Sequence, residues 1–116
     1  MEGTLITYED LVVRADTVMP VTVTGIEVAV GLCLGRITSG GLYQDCDTAH
    51  ASDGSEYFRC VALEDCDATE EDVVIPALFA GEVNEDALTF GGTDDVADHF
   101  NEMCDAGVYP REIVSA

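Results

Sequence analysis

Up to about Phe79 the apolar residues recur with period two or sit in short runs broken by Gly and Asp, and beyond Gly92 they recur with helical spacing. That change of period predicts a mainly β chain with one C-terminal α-helix, an α+β domain. Met19, Val21 and Val23 alternate with Pro20 and Thr22, which predicts a strand over Thr17–Val23 that its proline keeps at a sheet edge or a strand start. Ile26, Val28 and Val30 alternate with Glu27, Ala29 and Gly31, the pattern of a half-buried strand. Cys33–Thr38 reads as a further strand, and Ser39-Gly40-Gly41 before Leu42–Gln44 makes Leu32–Gln44 a hairpin. Tyr57–Leu63 is apolar on both faces and is expected at the centre of the sheet, while Val73–Phe79 reads as a short buried strand interrupted by Pro76.

Ala80–Gly92 is the seam between the two regimes. Val83, Leu88 and Phe90 are expected to anchor it in the core, and Glu82, Asn84, Glu85 and Asp86 read as a turn, because Asn and Asp satisfy local backbone groups. Thr93 or Asp94 then caps a helix over about 94–106, with Val96, Phe100, Met103 and Cys104 at i, i+4, i+7 and i+8 along its buried face. Gly107 and Pro110 stop it. His99 falls off that stripe and reads as a surface residue. At the other end, Met1–Arg14 reads as an extended arm, with 15–116 as one β-rich domain. Leu5, Ile6, Leu11, Val12 and Val13 are too apolar for a free tail. Either the arm lies on a partner as an added strand, or it is the first edge strand of the domain's own sheet.

Composition narrows the setting. At 116 residues, with 47% hydrophobic and 24% charged positions, the chain fits one domain with enough apolar material for a core. Its 24 Asp and Glu stand against four basic residues, Arg14, Arg36, Arg59 and Arg111, for a net charge of −20 and no Lys. Self-repulsion on that scale opposes a compact state at low salt, and screening relieves it as the Debye length falls from ~10 Å at 0.1 M to ~3 Å at 1 M. Acids spread over the whole chain therefore suit a very salty solvent. Nucleic-acid binding is disfavoured, since no basic patch exists to displace phosphate counterions. Glu2, Glu9 and Asp10 stand where a secretion signal carries basic and apolar residues, and no apolar run reaches the ~20 residues that span a bilayer, so no membrane partner is expected.

Candidate chemistry is sparse. Cys33, Cys46, Cys60, Cys66 and Cys104 lack CxxC spacing and read mostly as reduced, buried small hydrophobes, with one disulfide or one metal pair such as Cys46 with His50 left open. Asp45, Asp47 and Asp53 lie in a polar loop whose spacing does not match an EF-hand, so no metal and no cofactor are expected there. A small halophilic enzyme or metal-dependent regulator using Asp45, Cys46, Asp47 and His50 is the alternative reading. Six of nine residues from Glu64 to Asp72 are acidic. Nothing apolar or basic within that run would separate two carboxyl pKa values, so it reads as a solvated loop, not a catalytic pair.

The order of pieces resembles the phage head-decoration proteins, the group that includes the lambda-type capsid-stabilising protein D. The resemblance is carried by Leu34-Gly35-Arg36-Ile37-Thr38 with Ser39-Gly40-Gly41-Leu42-Tyr43, by Asp53-Gly54-Ser55, and by Cys66-Asp67-Ala68-Thr69-Glu70-Glu71-Asp72-Val73. Gly81-Glu82-Val83-Asn84-Glu85-Asp86-Ala87-Leu88-Thr89-Phe90 and the closing Ala106-Gly107-Val108 complete it. It implies a small domain of β-barrel or β-tulip type, without enzymatic activity, that sits as a homotrimer on the outer face of an icosahedral head at threefold and quasi-threefold positions. The implied partner is the major capsid protein, contacted by an N-terminal arm, here Leu5, Ile6, Leu11, Val12 and Val13. The chain departs from the family in its acidity and its short N-terminal region. It would be made in the host cytoplasm, and its salt adaptation points to a tailed virus of a haloarchaeon.

Overall fold

The strand around which the sheet is organised is the twelve-residue segment Val73–Asn84, here β7, which is apolar on both faces. The computed structural model describes residues 11–50 and 53–111. One edge of β7 is taken along its whole length by β1 (Val12–Val23), antiparallel from Val12 opposite Val83 to Val23 opposite Val73. Its other edge is shared by β5 (Cys60–Ala62) and, in parallel, by β8 (Val108–Arg111). From β5 the sheet continues through β3 (Cys33–Arg36) to β4 (Tyr43–Asp45). A separate two-stranded ladder joins β2 (Glu27–Val28) to β6 (Cys66–Asp67).

The hairpin expected over residues 32–44 is present: Leu34 pairs with Asp45 and Arg36 with Tyr43, and Gly40 and Gly41 turn the chain at φ of 95° and 75°. β5 is central, as its two apolar faces predict. Its sheet does not close into the expected barrel. β1 meets β4 only at Val23 opposite Tyr43, because the rest of β1 follows β7 away from it. Tyr43 and Phe79, both half-buried, meet edge to face with ring centroids 6.4 Å apart.

Pro76 does not interrupt β7. It sits opposite Pro20, so the two missing amide donors fall at one rung of the ladder instead of two. The strand therefore runs on through Ala80 to Asn84, which moves Glu82 and Asn84 out of the expected turn. The turn itself is a single 3-10 turn, Glu85–Ala87, capped by the Asn84 side chain on the Asp86 amide. β1 likewise begins at Val12, inside the segment read as an arm, and Leu11 before it is fully buried.

Two apolar clusters lie on opposite faces of the sheet. Val21, Val23, Leu34, Cys60, Ala62, Ile75 and Ala77 belong to one, with Val28 of the small ladder and Ala68 just after it. Leu11, Cys33, Phe58, Val61, Leu78, Val83, Met103 and Val108 belong to the other, beneath the helix. That helix, α1 (Val96–Ala106), is capped by Asp95 in a capping box with Asp98, and ends on Gly107 in the left-handed region at φ 99°. Its buried residues are His99 and Met103. The expected stripe is thus displaced: Phe100 is 45% exposed and Val96 and Cys104 are half-buried. Among the described residues no helix is long and apolar enough to cross a membrane.

Candidate functional site

Two regions could carry function: the outer ribbon of β1 with β7, and the joint where α1 meets the loop after β4. The ribbon is built by register. Val21 and Val23 turn into the core, but residues 13–20 of β1 are all exposed, including Val13, Val18 and Met19, and Val74 of β7 is 63% exposed. Register shifts between Val12 and Arg14 and around Thr17 break the strict inside-outside alternation there. Gly81 makes the tightest shift possible, since a Cβ on it would lie 2.1 Å from the Arg14 carbonyl oxygen. Arg14 bonds Asp16 and Glu82, and Arg111 bonds the other Glu82 oxygen at 2.7 Å. Along the outer edge of β1, ladder pairing among the described residues is limited to Val23 with Tyr43, so the rest of that edge has no strand partner among them.

Of the five residues expected to bind a capsid, Leu5 and Ile6 lie outside the described residues. Leu11 is fully buried in the cluster under α1, Val12 is half-buried, and Val13 is 45% exposed. Of the seam residues, Val83 is fully buried, while Leu88 and Phe90 are half-buried and pack against the same cluster. The acidic stretch from Glu64 to Asp72 is solvated: its six carboxylates are all exposed, and Asp67 bonds the Thr69 hydroxyl and amide.

The joint was missed by periodicity. His99, read as a surface residue, has a fully buried side chain. Its Nε2 lies 2.7 Å from Asp94 Oδ2 and its Nδ1 2.9 Å from Glu102 Oε1, and Phe90 stacks on the ring at a centroid distance of 4.9 Å. Burial opposes a charge on this imidazole, but the bonds to Glu102 and Asp94 outweigh it and hold the pKa above the usual histidine value. Burial also opposes charge on Asp94, and the bonds from His99 and from the Thr48 amide and hydroxyl hold its carboxyl below the usual range. Asp94 is engaged this way, which leaves Asp95 as the cap in place of Thr93 or Asp94. The signal in the sequence was the i, i+3 and i, i+4 spacing of His99 to Glu102 and Met103, which shares a face with the ring.

Among the described residues two side-chain sets approach metal-ligand spacing, Cys46 with His99 and Glu102, and Asp45 with Asp47 and His50. In the first, the sulfur is 3.6 Å from Nδ1 and 3.8 Å from Nε2. A sulfur sharing a tetrahedral ion with one ring nitrogen would stand about 5 Å from the other, so Cys46 packs on the ring and does not line up with a lone pair. Burial, reinforced by Glu102 and Asp94, drives the Cys46 thiol far up and keeps it neutral. In the second set, Gly91 and Gly92 make room for the carboxylates: a Cβ on Gly91 would lie 1.9 Å from Asp45 Oδ2. Asp47 accepts from the Ala49 amide, and His50 bonds Ser55, which is itself held by Asp53 and Gln44. Ser55 is fully buried and bonded by both His50 and Asp53, so the three are not in the relay order of a hydrolytic triad. All five cysteines are free, with Cys66 and Cys104 half-buried and the other three buried.

The family model for bacteriophage lambda head decoration protein D matches residues 1–104. The chain belongs to that family. Curated protein sequences give no match. The head decoration family is structural and non-enzymatic, which supports a capsid-decoration role and a place on the virion for this chain. It accords with a molecule that has a buried polar joint and, on its β1–β7 ribbon, the exposed apolar residues Val13, Val18, Met19 and Val74, with Tyr57, Phe100 and Tyr109 exposed elsewhere.

Proposed function

We propose that this protein is a cement protein that binds the major capsid protein as a homotrimer, on the outer surface of an icosahedral head at threefold and quasi-threefold positions, and stabilises the shell. The observation that carries the reading is the family match over residues 1–104, which includes the N-terminal segment. The exposed ribbon supports it physically. Val13, Val18, Met19 and Val74 present apolar surface beside the open edge of β1, the combination that suits strand addition by a neighbour together with side-chain burial. Leu5, Ile6 and Val13 are the arm residues proposed to lie on the shell. Leu11 serves instead to tether the arm's root, its side chain being committed to the domain's own core. Each subunit contact adds area that no capsomer provides alone, so occupancy stabilises the shell by mass action.

The net charge of −20 sets the conditions. We infer a virus of a hypersaline host, with the chain made in the host cytoplasm and added to heads in brine, where screening lets so acidic a trimer assemble. Neither a nucleic acid nor a membrane is a partner in this reading. The test is reconstitution in molar salt. Heads stripped of the chain should regain it at saturating, fixed stoichiometry and resist heating, and the free chain should sediment as a trimer. Sedimentation as a monomer at all concentrations would remove the homotrimer, and failure to bind heads would remove the decoration reading.

A further inference from the structure

The ring of His99 joins three parts of the molecule that have no covalent reason to stay together. Through Nε2 it meets Asp94, whose carboxylate holds the amide and hydroxyl of Thr48 in the loop after β4. Through Nδ1 it meets Glu102 Oε1, which also accepts the Phe58 amide at 2.8 Å, just before β5. Phe90 of the seam covers one face of the ring, and Cys46 approaches it as a neutral thiol. Both carboxylates can only accept, and a neutral imidazole carries one N–H. At 2.7 and 2.9 Å both contacts are hydrogen bonds only if the ring carries two protons.

We propose that His99 is held as an imidazolium that clasps α1 to the β4 loop and to the Phe58 segment, and that loss of its second proton at alkaline pH opens this clasp on the Glu102 side. Which side opens follows from solvent access. The Asp94 side chain is 8% exposed and fixed by Thr48, whereas Glu102 is 34% exposed and can turn to water. The remaining proton therefore stays on Nε2, the Nδ1 proton goes to hydroxide, and Glu102 leaves with its bond to the Phe58 amide. The titratable groups facing the ring are Asp94 and Glu102 from its own helix region and Cys46 from the end of β4, with Asp45 and Asp47 flanking Cys46. All are acidic or neutral, so none favours early loss of the proton.

The sign is that of a raised folded-state pKa: the stabilisation is complete below the unfolded value of about 6.5 and is lost as pH rises through the higher folded value. The experiment is a histidine-resolved NMR titration of the full chain in molar salt, with His50→Asn used to assign the two rings. His99 should titrate above the ordinary histidine value of about 6.5, and the Phe58 amide should move with the same midpoint. Thermal stability should fall through that midpoint in the native chain and not in His99→Gln. Glu102→Gln should lower the His99 midpoint, and Asp94→Asn provides the same test should Glu102→Gln fail to fold. A His99 midpoint at or below about 6.5 in the native chain, or a Phe58 amide indifferent to it, overturns the clasp.

Discussion

Replacing Gly81 with Ala probes the pairing on which the ribbon depends. Gly81 has φ 149°, pairs with Ala15, and its own amide donates to the Gly107 carbonyl at 3.0 Å, so it is held from both edges. An added Cβ would lie 2.1 Å from the Arg14 carbonyl oxygen and 3.2 Å from the Ala15 Cα. Those are backbone atoms, so no rotamer change relieves the overlap, and β1 has to retreat by about 1 Å or more from ordinary carbon–oxygen contact. The backbone conformation alone costs about 1–3 kcal/mol for a residue with a side chain. Loss of the rungs around Arg14 and Ala15 adds about 1 kcal/mol each. We expect a total loss of about 3–5 kcal/mol, read by denaturant unfolding in molar salt, with amide-exchange protection lost first in residues 12–16. Gly25→Ala is the control: its φ is 75° but nothing lies within 4 Å of the added carbon, so it should cost only the conformational strain, about 1–2 kcal/mol. Equal losses for the two variants, or native protection of residues 12–16 in Gly81→Ala, would refute the close approach as the cause.

Met103→Ala, at a fully buried position under α1, should cost about 2–5 kcal/mol in the same unfolding assay. Phe90→Ala should cost less, about 1–3 kcal/mol, because the ring is half-buried, and should also shift the His99 ring resonances it stacks on. Arg111→Ala removes an exposed pair with Glu82 and should change stability by no more than about 1 kcal/mol at low salt and by nothing measurable at 1 M. Hydrogen bonds from Thr69 hold the Asp67 carboxyl below its usual pKa, so its stabilisation exists above the unfolded value and disappears as pH falls through the folded one. Asp67→Asn should therefore flatten the acid limb of the stability profile below about pH 4. Melting temperature should fall as salt drops from molar to tenths of molar, and a flat profile would remove the halophilic reading.

What could be read from the chain follows how local the deciding information is. The residue 32–44 hairpin was legible because its turn chemistry, Ser39-Gly40-Gly41, lies between its own strands. β5 was legible as central because both of its faces are apolar within one short run. The full length of β7 was not, because the tolerance of Pro76 depends on its partner Pro20, far away in sequence. The helix was placed correctly, but its face was displaced, since nothing local says that His99 finds Asp94, Glu102 and Cys46 when it turns inward. A polar ring enters a core only with such partners. The same holds for the cap: three acceptable residues, Thr93, Asp94 and Asp95, stand in a row, and the tertiary use of Asp94 by Thr48 decides among them. The root of the arm was ambiguous for a related reason. Leu11 and Val12 read equally well as a partner's contact or as the domain's first strand, and nothing local says that Leu11 packs in one cluster with Phe58 and Met103 or that Val12 pairs with Val83.

The central claim, that this chain decorates a viral head, is tested most directly by imaging virions purified in high salt and fixing the chain's copy number by quantitative mass spectrometry. The account predicts density matching this fold on the outer surface of the shell, the β1 ribbon turned toward the major capsid protein, and a constant ratio to it. Virions that lack the chain, or carry it only inside the head, would contradict it.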